Sequence, residues 1–297
     1  MKRVVAAVML LWSAAAGAVS AEDGAALSVF VSIPPQAWVV KRVAGDAARV
    51  GTLVAKGQDP HTFDPTPMQV QQLAGARIYF TIGLPFEKTL ESKLRGAGAA
   101  MEFVDSAAGV KRRSLRADEA EHGHGNCAGH CGEDDPHVWL STSNLAVMAA
   151  NVAQALAGAV PARAGAFEAN RSAFAAELAA LRGRISEQLA GYRGKDFYVY
   201  HPAFGYFGDE FGLRQKAVEA EGKSPTPRQL AALVERARRE GVKLIVIQPQ
   251  FNSKTAEVVA GSVGAAVVAV DPVADDVSET LGRLARSLRA AGGGGRE

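Results

Sequence analysis

The chain carries six histidines, and they fall into two groups. His122, His124 and His130 share one polar stretch. His61, His137 and His201 each stand beside a proline, in Asp59-Pro60-His61, Asp135-Pro136-His137 and His201-Pro202. Neutral imidazole is a good zinc donor, and three imidazoles with one further ligand complete a tetrahedral site. The neighbouring proline holds the backbone extended and stiff, which helps to fix a ligand side chain. No two of these three are four residues apart, so no single helix can present them; the fold must bring them together. Any one alone reads more readily as a surface or capping residue. Three in similar settings at the ends of predicted strands point to a shared ion. Asp271, closing the run Val268-Ala269-Val270-Asp271 before Pro272, is the candidate fourth ligand, since a carboxylate there would offset the charge of Zn²⁺. Water is the alternative at that position.

The other histidines lie in residues 119–135, EAEHGHGNCAGHCGEDD, which also hold both cysteines of the chain. Without an apolar face, this reads as a polar loop. Three roles stay open for it. It could collect zinc weakly on flexible histidines and acids, or hold an auxiliary ion through His122, His124, His130, Cys127 and Cys131. It could also be a solvated linker closed by a Cys127–Cys131 disulfide.

The elements that must position these residues follow from the apolar pattern. Leu27–Ile33, Val50–Val54, Arg77–Ile82 and Met101–Val104 read as buried strands, with helices over Gln36–Ala44, Pro67–Ala74 and Phe86–Leu94 between them. A helix over Ser143–Ala157 follows. Then Phe167, Phe174, Leu178, Leu181, Ile185 and Leu189 recur at helical steps, one stripe about 30 residues long opened by Pro161. Strands Phe197–His201, Gln215–Glu219, Lys243–Gln248 and Val267–Asp271 come next, alternating with helices near Ala203–Phe211, Pro227–Glu240, Ser253–Gly261 and Asp276–Leu288. This alternation predicts an α/β chain of two lobes, each with a roughly four-stranded parallel sheet flanked by helices, joined by one long rigid helix. The expected boundaries are residues 22–158 for the first lobe, 159–192 for the connecting helix and 193–297 for the second lobe. A cleft outside the carboxyl ends of the strands is the expected ligand site.

Residues 1–21 read as a cleaved secretory signal: Lys2 and Arg3 precede a short apolar run, Val4–Trp12, and small residues lead to Ala21. The run is shorter than the ~20 residues needed to span a bilayer. Lys2 and Arg3 account for the whole excess of 33 basic over 31 acidic residues, so the remaining chain has a formal charge near zero. That leaves no broad basic field for nucleic acid or anionic lipid. Neither GxGxxG nor GxxxxGK[ST] follows a strand, and the HExxH pattern of zinc hydrolases is absent. Trp38, Phe63, Trp139 and Phe204 read as packing around the histidines. Glu219 and Glu221, near a strand end of the second lobe, are candidates to accept a ligand N–H.

Five segments, GQDPHTFDPTP at 57–67, DPHVWLS at 135–141, HPAFGYF at 201–207, EGKSPTP at 221–227 and QPQFNSKTAE at 248–257, together resemble the motif set of the ZnuA-like zinc and manganese solute-binding proteins of ABC importers. The motifs keep their order from about residue 28 to 290. The resemblance implies two α/β lobes joined by a rigid helix, with the metal between them and a membrane permease as partner of a soluble periplasmic monomer. It carries ligand roles onto His61, His137 and His201, and onto Asp271. Zinc-binding members have histidine at the third position and manganese-binding members glutamate, so His201 favours Zn(II), in line with the preference of imidazole-rich sites. The sequence departs from the pattern at Gln248, where many relatives have glutamate, and in its short loop with two cysteines.

Overall fold

The computed structural model describes residues 26–114, 134–219, 225–252 and 254–293. The first half runs β1 (Leu27–Val31), α1 (Pro34–Ala44), β2 (Ala48–Thr52), α2 (Pro67–Ala74), β3 (Ile78–Thr81), α3 (Pro85–Gly96) and β4 (Glu102–Asp105). Helices α4 (Thr142–Ala159) and α5 (Ala164–Gln188) follow. The second half runs β5 (Asp196–Val199), α6 (Gly205–Phe211), β6 (Arg214–Ala217), α7 (Pro227–Arg239), β7 (Leu244–Ile247), α8 (Lys254–Val263), β8 (Ala266–Ala269) and α9 (Val277–Gly293). The strands form two four-stranded sheets, ordered β2-β1-β3-β4 and β6-β5-β7-β8, and all pairs are parallel. The two sheets therefore repeat one topology without a visible sequence repeat.

Local chemistry sets the helix starts. Thr66 and Thr226 each accept the N–H of a glutamine three residues on, whose side chain returns to the threonine N–H, and a proline follows at the first helical position. This reciprocal capping satisfies N–H groups that a helix start leaves unpaired. The strands end earlier than the apolar runs suggest: β5 stops at Val199, β6 at Ala217 and β8 at Ala269. Tyr200, Val218 and Val270 beyond them are still buried, because the chain stays inside the protein as it leaves the sheet to build the cleft.

Strand alternation divides the core. Ile78 and Phe80 point inward to the same apolar cluster as Phe197 and Val199, whereas Tyr79 and Tyr198 face separate outer clusters under α2–α3 and α7–α8. The central cluster is continuous across both halves. Phe167, Phe174, Leu178, Leu181 and Ile185 of α5 lie in it together with Leu189. Helix α5 packs on α1, α4 and α9, with the Trp38 ring edge-on to Phe174 at 4.9 Å. It is shorter than the expected stripe, because Pro161–Arg163 forms a 3-10 turn and the α-helix starts at Ala164. At 25 residues it spans about 37 Å at 1.5 Å per residue.

The halves are also tied by polar contacts. Glu210 of α6 accepts the N–H groups of Thr142 at 2.8 Å and Ser143 at 3.1 Å and so caps the start of α4. Trp139 Nε1 donates to the Pro272 carbonyl at 2.7 Å. Among the described residues no helix is long and apolar enough to cross a membrane.

Candidate metal centre

The three proline-flanked histidines lie beyond the carboxyl ends of strands, as the topology predicts. His61 sits in the connection from β2 to α2, His137 in the segment leading into α4, and His201 just after β5. In both Asp-Pro-His segments the aspartate side chain bonds its own backbone two residues on. Asp59 Oδ1 accepts His61 N–H at 2.9 Å and Asp135 Oδ1 accepts His137 N–H at 3.0 Å. These are Asx turns, in which a short carboxylate imitates a backbone turn. The proline removes one donor and stiffens the bend.

His201 is fixed differently. Gln248, buried at the end of β7, accepts the His201 N–H at 3.0 Å and donates to the His201 carbonyl at 2.8 Å. Phe251 stacks on the imidazole at 4.7 Å. The Gln248 departure thus serves a structural purpose here, as a clasp on the backbone of His201.

The ring nitrogens converge. One nitrogen from each of His61, His137 and His201 lies within 4.8 Å of the others. His61 Nε2 is 3.1 Å from His137 Nε2, and His201 Nε2 is 3.3 Å from His137 Nε2. Two donors bound to one tetrahedral zinc, each about 2.0–2.1 Å from it, stand about 3.3–3.4 Å apart.

The far side of two rings decides what faces that point. His137 Nδ1 lies 2.8 Å from Asp135 Oδ1, and His201 Nδ1 lies 2.6 Å from Glu219 Oε1. A carboxylate only accepts, so each Nδ1 carries a proton, which leaves Nε2 as the nitrogen whose lone pair can face inward. Two lone pairs at 3.3 Å cannot hydrogen-bond to each other; a shared cation would satisfy both. Burial holds the His137 imidazole below its ordinary value, against the opposing pull of Asp135. Burial would raise the Asp135 carboxyl, but hydrogen bonds and charge from His137, joined by Arg113, bring it below the usual carboxylate range. The ring is therefore neutral and its partner ionised at neutral pH, as zinc ligation requires.

The group of converging donors comprises the three histidines without Asp271. The Asp271 Oδ1 accepts Val273 N–H at 2.9 Å and Gln250 Nε2 at 2.7 Å. Asp271-Pro272-Val273 is a third Asp-Pro Asx turn, formed through Oδ1. Glu219 does accept a ligand N–H, as anticipated, whereas Glu221 lies outside the described residues. So do His122, His124, His130, Cys127 and Cys131, and residues 1–21. The part played by Asp135 in orienting His137 was missed. The Asp-Pro-His repeat marked a turn at 59–61 and 135–137 alike, and only the fold shows that one of the two aspartates also reaches an imidazole.

The profile of the ZnuA family, described as zinc-uptake complex component A, periplasmic, matches residues 29–288. The high-affinity zinc uptake system protein ZnuA of Bacillus subtilis is 28% identical over 272 residues, covering 88% of this chain and 84% of its own. A crystal structure of ZnuA superposes with a TM-score of 0.82 at 33% identity, over 90% of this chain and 99% of that one. A ZnuA deletion mutant with zinc bound gives 0.80 at 34% identity, over 90% and 98%.

Proposed function

The chain belongs to the ZnuA family of periplasmic zinc-uptake components, and from that premise we propose that His61, His137 and His201 hold one zinc ion through Nε2 for delivery to the membrane permease of an ABC importer. The observation that carries the ligand set is the pair of inward lone pairs on His137 and His201, 3.3 Å apart and backed by Asp135 and Glu219. Three imidazoles favour zinc over manganese, which prefers oxygen donors. Water fills the fourth position, since Asp271 does not join the group of three histidine nitrogens.

The role is capture and hand-over without chemistry on the cargo. Residues 1–21 direct export and are removed, leaving a soluble periplasmic monomer. Its lobes are residues 22–158 and 193–297, with 159–192 as the strut between them. The 119–135 loop gathers zinc weakly ahead of the histidine site.

Zinc stoichiometry and affinity of the metal-free protein test this reading, for wild type, His201→Ala and a deletion of the loop. One tight site lost in His201→Ala and kept in the deletion is expected. Loss of tight binding in the loop deletion alone, or tighter binding of manganese than zinc in direct competition, would overturn it.

A further inference from the structure

The side chain of Arg113 is only 8% exposed and lies where the two halves meet behind His137. Its Nη1 donates to Asp135 Oδ2 at 2.8 Å, and its Nε donates to Asp209 Oδ2 of α6 at 2.9 Å. The backbones are joined at the same place. Asp135 N–H donates to the Arg113 carbonyl at 2.8 Å, and Arg113 N–H donates to the Tyr206 hydroxyl at 3.1 Å. That hydroxyl donates in turn to the Asp135 carbonyl at 2.9 Å. The Asp135 carboxylate is thus divided: Oδ1 serves His137 and Oδ2 serves Arg113.

The guanidinium occupies space that any side chain at position 205 would take. A Cβ on Gly205 would stand 1.8 Å from Arg113 Nη1. Gly205 opens α6 four residues after His201, and α6 carries Tyr206 and Asp209. Through one buried cation, the carboxylate that orients His137 is fixed to the helix that follows His201. In sequence these two histidines are connected only through the whole length of α4 and α5.

The geometry points to Arg113 as a positioning residue for zinc retention. Its planar fork reaches Asp135 and Asp209 together and sets the spacing of His137 and His201. This rests on the ligand set proposed above. Charge and positioning predict opposite signs here. A cation near the site repels Zn²⁺, so if charge alone mattered, its removal would tighten zinc binding. If Arg113 positions the ligands, its removal loosens the site. Lysine keeps the charge but has no fork to span both carboxylates.

The test measures the rate of zinc loss to excess chelator for Arg113→Gln, Arg113→Lys and Asp209→Asn. It is paired with the visible spectrum of the Co²⁺ form and the unfolding midpoint of the metal-free protein. Asp209 is 43% exposed, so Asp209→Asn keeps the fold even where the arginine variants weaken it. Expected is zinc loss faster by about tenfold in both arginine variants, at the low end for residues behind a metal ligand, with a smaller increase for Asp209→Asn and an altered Co²⁺ spectrum. In an Asp135→Asn background, Arg113→Gln should add little further, because its path to His137 is already cut. Unchanged or slower zinc loss in Arg113→Gln, or an effect that adds fully to Asp135→Asn, would overturn the inference. His201→Ala is the control: if it retains tight zinc, the ligand set fails; if it loses zinc while Arg113→Gln behaves as wild type, only the positioning role fails.

Discussion

Glu219 Oε1 lies 2.6 Å from His201 Nδ1 and reaches it from just beyond the end of β6, eighteen residues along the chain. Asp135 meets His137 Nδ1 at 2.8 Å from only two residues away. Both contacts fix a tautomer and raise the basicity of the ligand nitrogen, but Asp135 also forms the turn that bears its histidine. Glu219→Gln keeps an acceptor oxygen and should weaken zinc modestly, while Glu219→Ala and Asp135→Ala should cost about 10–100-fold in affinity. Asp135→Ala should in addition lower the stability of the metal-free protein more than Glu219→Ala. Chelator competition and denaturant titration separate the two effects; equal affinities across all four proteins would show that the carboxylates do not orient ligands.

Acid should destabilise the metal-free protein, and the sign follows from His137. Burial depresses its folded pKa, whereas in the unfolded chain it titrates near the usual value of about 6.5. Between those values the unfolded chain binds a proton that the folded one refuses. Stability therefore falls as pH drops from about 6.5 towards the folded value. Asp135, held below its ordinary value, adds a further loss at more acidic pH, from the usual carboxylate value, where the unfolded carboxyl takes a proton, down to the point where the folded one does too. Denaturant titrations of zinc-free protein at pH 7.5, 6.5 and 5.5 should show the decline, and His137→Gln should flatten it. A profile that is equally steep in His137→Gln would place the acid sensitivity elsewhere.

Asp271→Asn should leave zinc affinity close to that of wild type. Asparagine forms the same Asx turn with Val273 N–H, and Asp271 stands outside the three-histidine group, its Oδ1 accepting from Val273 and Gln250. His61→Ala, His137→Ala and His201→Ala should each abolish tight binding. Parallel affinity measurements on the four variants check this, and a loss in Asp271→Asn comparable to that in a histidine variant would restore Asp271 as the fourth ligand.

The parts of this protein legible in its sequence are those governed by periodicity and turn chemistry. Helix α2 begins and ends at Pro67 and Ala74 as the pattern requires, and the inward stripe of α5 is the set of apolar residues at helical spacing. The three histidines were recognisable because proline and strand ends mark them. Asp271 carries the same mark, since an aspartate before proline at a strand end suits both a ligand and a turn. Arg113 was invisible: it lies in the basic run Lys111-Arg112-Arg113, next to the polar loop, and nothing local separates it from a solvated charge. Its partners Asp135 and Asp209 are 22 and 96 residues away; the first contact spans the polar loop, and the second arises only where the two lobes pack.

That packing also governs how the protein should respond to losing its metal. The central core runs unbroken through both halves, so unfolding should be a single transition that zinc shifts as a whole. A ligand that binds only the folded state adds RT ln(1 + [L]/Kd), about 4 kcal/mol when free zinc is a thousandfold above Kd. In a chain of this size each kcal/mol moves the midpoint by roughly 2–4 °C. Chelation should therefore lower the melting temperature by on the order of 10 °C, with near-UV signals from both lobes moving together. Phe174→Ala, which empties a buried site where α5 meets α1, should cost about 3–5 kcal/mol. It should lower the midpoints of the zinc-loaded and zinc-free forms by similar amounts, because it lies away from the histidines. Two separable transitions in calorimetry of the zinc-free protein would contradict this, since each lobe would then be melting on a core of its own.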